Sequence, residues 1–508
     1  AKLDTIGDNE KIKFELWKVV YGVWDYIKNS GNFSDVENLT LEWVGLIPGK
    51  RESRRFNGLY KINKNDIVRQ HKFDDAVAFG GWAIDLHPAD GVYSDLPGCL
   101  QYHSKGIYSI PYRCMMSKDI DNLFLAGRII SATHIAFGST RVMATSAFSA
   151  QAVGMASAIC LEKGLMPAQV LENGLIVELQ QRLNVAGQSI PFVPINGAHN
   201  LATKSSISAS SSNKLDCIRF NGGWKDLTFS MAQLLPLRKN IRYSFEVMVR
   251  ASETTKLSVS LRRAKKRQNY TPDLIVSSKE IELKKGEELI RIEFDAVFPE
   301  DQYGFICFEA NDSVAVRVSE DRITGVVSVF QKYNKSVAKS ASQTPPEGIE
   351  VDAFDFWVPE RRPEGYNVAM NIVPAIDASR PENVINGYLR PFISVNAWIA
   401  DLKDLNPTLS FVWDKKISIS EIILYFDTDY DHSMESVQMG HPERIMPFCV
   451  RNYVLKNDAG DIVYRKQGNY TTINSIKFDK ALITSTLSIE VENPSENIPA
   501  AIFQVIVR

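Results

Sequence analysis

The chain has 508 residues, 44% of them hydrophobic and 23% charged, with a net charge of −2. That length exceeds one ordinary core and points to about three domains of a soluble, globular composition. The near-neutral balance leaves no global basic field for nucleic acid, and six scattered cysteines without a C-x-x-C pair indicate neither a zinc site nor a disulfide framework.

In chain order, the first predicted element is an amphipathic helix in "KIKFELWKVVYGVWDYIKNSG". Phe14, Trp17, Val20, Tyr21, Trp24 and Ile27 recur there at three- and four-residue spacing, and Gly31 follows the end. "NLFLAGR" (122–128) reads as a short buried strand. The charge-free run 142–161 has the length of a membrane span, but Thr145, Ser146, Ser149, Gln151 and Ser157 make it too polar for a lone span. Its small residues suit a helix packed closely against a neighbour. "MPAQVLENGLIVELQQRLNVAG" supplies a further helix, closing an α/β unit over residues 1–203. "KSSISASSSN" (204–213) is Ser-rich, lacks apolar periodicity and reads as a linker.

Residues 214–335 change character. "YSFEVMVRA", "KLSVSLRRA", "LIRIEFDAVF" and "FICFEAND" alternate with period two, as in a β-sandwich. The basic run "RRAKKR" (262–267) within them reads as a solvated turn. "NKSVAKSASQTPPEG" makes a second linker, and residues 350–508 return to β character in "LSFVWD", "EIILYFDTDY", "STLSIEVEN" and "AIFQVIVR". The expected fold class is therefore multidomain: an α/β N-terminal unit followed by two all-β sandwich domains.

The chemistry concentrates in "GRIISATHIAFGSTRVMATSAFSAQAVGMASA", which starts at Gly127. A strand is expected to end at Gly127-Arg128, and a helix to start near Gly138-Ser139-Thr140. A helix start carries unpaired N–H groups and partial positive charge, which suit an anion or an electron-rich oxygen. Gly138 would let a ligand approach the backbone, while Ser139 or Thr140 would serve equally as a simple helix cap. Arg128, His134 and Arg141 crowd the same turn.

"NLFLAGRIISATHIAFGSTRVMATSAFSAQAVGMASA" resembles the C-terminal flavin-contacting segment of FAD-dependent oxidoreductases with the two-dinucleotide-binding-domain fold. "GKRESRRFNGLYKINKNDIV", "GGWAIDLHPADGVYS" and "YSIPYRCMMSKDIDNLFLAGR" match further blocks of that family in its order. The resemblance implies FAD as cofactor, with Gly127 and Arg128 near the ribityl chain and Gly138, Ser139, Thr140 and Arg141 at the pyrimidine end. It implies His134 near the isoalloxazine, with His134 or His87 assisting proton removal. It also places His87, Arg113, Arg51, Arg54 and Arg55 in the substrate region, where arginines would hold a carboxylate or sugar hydroxyls. A structural salt bridge is the rival role for each arginine, and a satisfied loop residue for His87. Ala150 stands where relatives usually have Gly.

No G-x-G-x-x-G occurs anywhere in the chain, although that turn seats the pyrophosphate in this fold. The expectation is therefore that the ADP-binding half is missing from this chain and that FAD is absent from it as isolated.

"PENVINGYLRPFISVNAWIADLKDLNPTLSFVWDKKISISEIILYFDTDYD" resembles the discoidin, or galactose-binding-like, sandwiches. The resemblance implies sugar binding by loop aromatics, with Tyr388, Phe392 and Trp398 as candidates and a core role as their rival. Two functions remain open at this point: an FAD-dependent oxidoreductase acting by hydride transfer on a carbohydrate-related substrate, and a non-catalytic glycan-binding protein with a degenerate flavin unit. The expected partner is a carbohydrate or other small molecule, not nucleic acid or a membrane. A periplasmic or secreted location is compatible with the resemblance but is not specified by the sequence.

Overall fold

A computed structural model describes all residues except 1, 2, 51, 103, 104, 333–341, 344–352, 361, 363, 364 and 429–445. Arg51, most of the expected second linker and part of "EIILYFDTDY" lie outside the described residues.

The chain is multidomain, with a helical N-terminal unit followed by β-rich modules. Helix α1 (Asn9–Asn29) forms where the apolar periodicity predicts it, yet none of its residues is buried. Phe14, Tyr21 and Val23 are exposed, and Trp17 reaches only a loop, its Nε1 donating to the Gly45 carbonyl at 2.9 Å.

The core of the N-terminal unit instead assembles around β1 (Ala76–Gly80) paired antiparallel with β4 (Tyr108–Pro111). A second pair, β2 (Ile84–Leu86) with β3 (Leu100–Tyr102), flanks it. The expected strand 122–128 is not one. It carries a single bridge, Met116 to Phe124, and then a 3-10 turn, Gly127–Ile129. Helix α2 (Lys64–Val68) is fixed by a capping box between Asn63 and Asp66.

The small-residue run is split into α3 (His134–Thr140) and α4 (Met143–Lys163). Among the described residues, α4 is the one helix long and apolar enough to cross a membrane. Its Ala152, Ala156 and Ile159 are built into the core against β1 and α6 (Ile176–Val185), where small side chains allow close approach. The expected single helix over 166–187 is interrupted at Gly174, which has φ +68°, leaving α5 (Gln169–Glu172) and α6.

The middle module is a sandwich. One sheet runs Leu274–Leu283, Thr255–Arg263, Gln302–Phe308, Met231–Leu237, Ser328–Phe330, Val358–Pro359. The facing sheet is centred on Ser244–Ala251 and Asn311–Ser319 and also takes in Asn367–Val368 and Met370–Ile376. Val358–Pro359, Asn367–Val368 and Met370–Ile376 thus belong to the middle sandwich, which corrects the expected division at 335/350.

The C-terminal sheet is built on two long bent strands, Thr408–Phe426 and Ile473–Val491. Ser206–Ala209 pairs with the first of them. The expected linker 204–213 is therefore partly a sheet edge, and Ser210 and Ser211 both bond Asp404.

The basic turn is also more than a solvated loop. Lys265 and Lys266 are exposed, but Ala264, Asn269 and Tyr270 are buried. Asn269 accepts from Gln70 Nε2 of the N-terminal unit at 2.5 Å, and a Cβ on Gly106 would collide with the same amide.

Candidate functional site

His134 opens α3, and Thr133 caps that helix by accepting from the Ala136 N–H at 3.4 Å. The imidazole Nδ1 lies 2.8 Å from Glu52 Oε1, and Arg55 contacts the same carboxylate. Partial burial, then the Arg55 and Arg141 guanidiniums, hold the His134 pKa below its ordinary value. The Glu52 charge, shared with Arg55, does not reverse this. With Nδ1–H donating to Glu52, Nε2 is left as a base. An open depression of about 400 Å³ is lined by Arg55, Phe56, Asn57, Lys61, Thr133 and His134. Arg54 is exposed.

A second acid ties the other candidates together. Asp85 Oδ2 takes Arg141 Nη2 at 3.2 Å and lies 3.1 Å from His87 Nε2. His87 Nδ1 is 2.9 Å from the Gly98 carbonyl. Glu52 and Asp85 were not singled out by the sequence reading. The one available signal was an acid set within the arginine run "KRESRR".

Several candidates are occupied by the fold. The helix does not start at Gly138. That residue lies inside α3, and a Cβ there would sit 2.9 Å from the Asp85 carbonyl, so its missing side chain admits the backbone of β2. Ser139 is buried, bonded to Tyr108 Oη at 2.7 Å and to the Trp82 carbonyl at 2.7 Å. Thr140 is buried, and its hydroxyl has no partner. Neither residue caps the helix. Arg113 forks onto the buried Asp75, Nε to Oδ2 at 2.9 Å and Nη2 to Oδ1 at 3.0 Å, the structural salt bridge that is the rival to a catalytic role.

In the C-terminal module Trp398 is wholly buried, its Nε1 donating to the Ser211 carbonyl at 2.9 Å. It is a core residue and not a sugar platform. Tyr388 is half-buried in an aromatic cluster with Phe392 and Phe192. Ring burial here outweighs loop display, because an aromatic contributes most when desolvated.

What remains accessible is the segment around Gly127, which has φ +69°. A Cβ on Gly127 would meet only Ser146 of α4, at 3.9 Å. Helix α4 starts at the exposed Met143, and its N-cap Val142 offers no side-chain acceptor. Arg128 donates to the Lys50 carbonyl. The open backbone at Gly127 and the uncapped first turn of α4 fit the electron-rich edge of a flavin, whereas Gly138, Ser139 and Thr140 do not.

Residues 4–183 match the family described as FAD dependent oxidoreductase. No curated protein matches the chain. Among solved structures, the chain is similar to the family 32 carbohydrate-binding module from Streptococcus pneumoniae EndoD, at 12% identity, over 26% of this chain and 86% of that one, with a TM-score of 0.21. It is also similar to the family 32 module of C. perfringens NanJ in complex with galactose, at 14% identity over 26% and 85%, with a TM-score of 0.19.

Proposed function

We propose that residues 4–183 form the isoalloxazine-facing part of an FAD-dependent oxidoreductase acting on a carbohydrate-related substrate. The observation that carries this reading is the uncapped start of α4 beside the left-handed Gly127, within the stretch that matches the oxidoreductase family. When bound, the flavin supplies the hydride acceptor. The chain's own contribution is positional: backbone N–H groups of α4 oppose developing negative charge, and Arg128 borders the same edge. His134, oriented by Glu52 and with its pKa lowered by burial and the neighbouring guanidiniums, takes the substrate proton at Nε2. Because no G-x-G-x-x-G is present, the adenosine end contributes little here, and the chain isolates without FAD. Equilibrium dialysis with riboflavin tests the reading. Wild-type chain binds it, and Gly127→Val weakens binding by at least about tenfold; equal binding by wild type and variant refutes the assignment.

A second reading, a non-catalytic glycan-binding protein, draws support from the packing of Gly138, Ser139, Thr140 and Arg113 into structural roles. Carbohydrate binding by a chain that takes up no flavin of any kind would favour it.

A further inference from the structure

The C-terminal sheet carries a trough of about 220 Å³ on its outer face, far from the flavin segment in sequence. Three strands form its floor. Val454 pairs with Arg465 on one side and with Glu490 on the other, so these three side chains share one row across the sheet. Lys456 lies opposite Ile462 one row further along. Asn452, Lys466, Gln467 and Glu492 close the end of the trough.

The charges are unevenly committed. Lys456 Nζ is 2.6 Å from Glu490 Oε2, and Asn452 Nδ2 donates to Glu492 Oε2 at 2.6 Å. Both carboxylates on the floor are thus answered. Among the described residues, Arg465 and Lys466 have neither a hydrogen-bond nor an ion-pair partner from their side chains. Arg465 is exposed, and Ile462 beside it is an exposed apolar side chain.

We propose that this trough binds a carboxylate-bearing sugar unit, a hexuronate within an acidic oligosaccharide. The inference rests on reading the β modules as carbohydrate-binding. The planar Arg465 fork matches a carboxylate with two parallel hydrogen bonds. Val454 and Ile462 offer apolar surface to the C–H face of a pyranose ring, while Gln467 and Asn452 meet hydroxyls. A neutral sugar would leave the Arg465 fork unused. Cations on an edge strand also discourage pairing with another sheet, and the measurement below separates the two roles.

The test is isothermal titration calorimetry of the full chain with a galacturonate trimer, a neutral galactose trimer and a sulfated galactose trimer. The site predicts that the uronate trimer binds best. Arg465→Gln weakens it by at least about tenfold, Arg465→Lys weakens it less, and Lys480→Gln, an exposed cation outside the trough, leaves it unchanged. Matching urea midpoints establish that the variants are folded. Undiminished uronate binding by Arg465→Gln overturns the site. So does a sulfated or neutral trimer binding as well as the uronate. If the neutral trimer alone binds, the site falls and the carbohydrate reading stands; if no trimer binds, both fall.

Discussion

Glu52 Oε1 lies 2.8 Å from His134 Nδ1, and this one contact fixes which imidazole nitrogen is free to act. Burial and then the neighbouring guanidiniums disfavour the imidazolium, so the ring is expected to titrate below the ordinary histidine value of 6.5. Removing a cation favours protonation, so Arg55→Gln moves the midpoint up. Removing the anion does the opposite, so Glu52→Gln moves it down. NMR titration of the His134 ring protons reads both shifts. A single midpoint shared by all three proteins contradicts this picture of the site. If activity needs neutral His134, it rises with pH through that midpoint.

Gly138 and Gly127 resist a side chain for different reasons. A methyl at Gly138 meets the Asp85 carbonyl at 2.9 Å, so Gly138→Ala is expected to destabilise the N-terminal unit by roughly 1–3 kcal/mol through overpacking. Gly127→Ala has space but an unfavourable φ of +69°, costing about 1–2 kcal/mol. Urea unfolding followed by tryptophan fluorescence measures both. A Gly138→Ala chain as stable as wild type would return Gly138 to a ligand-facing role.

Arg219 links the two β modules and is held by a buried carboxylate of the middle one. Asp321 is buried and takes Arg219 Nε at 2.9 Å, and Arg219 Nη2 continues to Asn497 Oδ1 at 2.9 Å. Arg219 is half exposed, which moderates the pair. Asp321→Ala is expected to cost about 2–4 kcal/mol, read as an earlier loss of cooperative unfolding in both modules. Loss confined to the middle module would mean the clamp does not couple them.

Limited proteolysis tests the revised boundary. Ser206–Ala209 is paired to Thr408–Phe426 along four residues, and backbone held in a ladder is a poor protease substrate. Cleavage within 204–213 is therefore expected only after unfolding begins. Early cutting there would restore the linker.

Trp398 shows how burial changes a role. Trp398→Ala removes a wholly buried indole and its hydrogen bond to Ser211, an expected cost of about 3–5 kcal/mol. Thermal unfolding reads it. A negligible change would return the residue to the surface.

The β modules were the most legible part of the chain, because their strands alternate. Ser244–Ala251 buries Phe245, Val247, Val249 and Ala251 and leaves the intervening side chains more exposed. Local periodicity carries no record of distant partners, and the misreadings follow from that. Gly138 is small because the β2 backbone lies against it, and Arg113 is spent on Asp75, which is 38 positions away. The break between α3 and α4 falls at Arg141-Val142, where no Gly or Pro announces it. Val358–Pro359 and Met370–Ile376 join the middle sandwich through pairings that only tertiary structure reveals. Within the candidate site, His134 and Arg141 were legible, with Arg128, as side chains crowding one turn, and Arg55 entered only through the family resemblance. Glu52 and Asp85, which orient them, were not: Glu52 reads as a lone acid on a solvated arginine-rich surface, and the partner of Asp85, Arg141, is 56 positions away.

The proposed flavin site has an isoalloxazine end at Gly127 and α4 and no glycine-rich turn for the pyrophosphate. Equilibrium dialysis of the purified chain against riboflavin and FAD, preceded by an absorbance scan, tests it most directly. The expected result is a colourless protein that binds both flavins, with FAD held no more than about tenfold tighter than riboflavin; a complete site would add at least ~4 kcal/mol from the adenosine and pyrophosphate contacts, about a thousandfold. A stoichiometric flavin spectrum on isolation, FAD held a thousandfold tighter than riboflavin, or no binding of either flavin would contradict it.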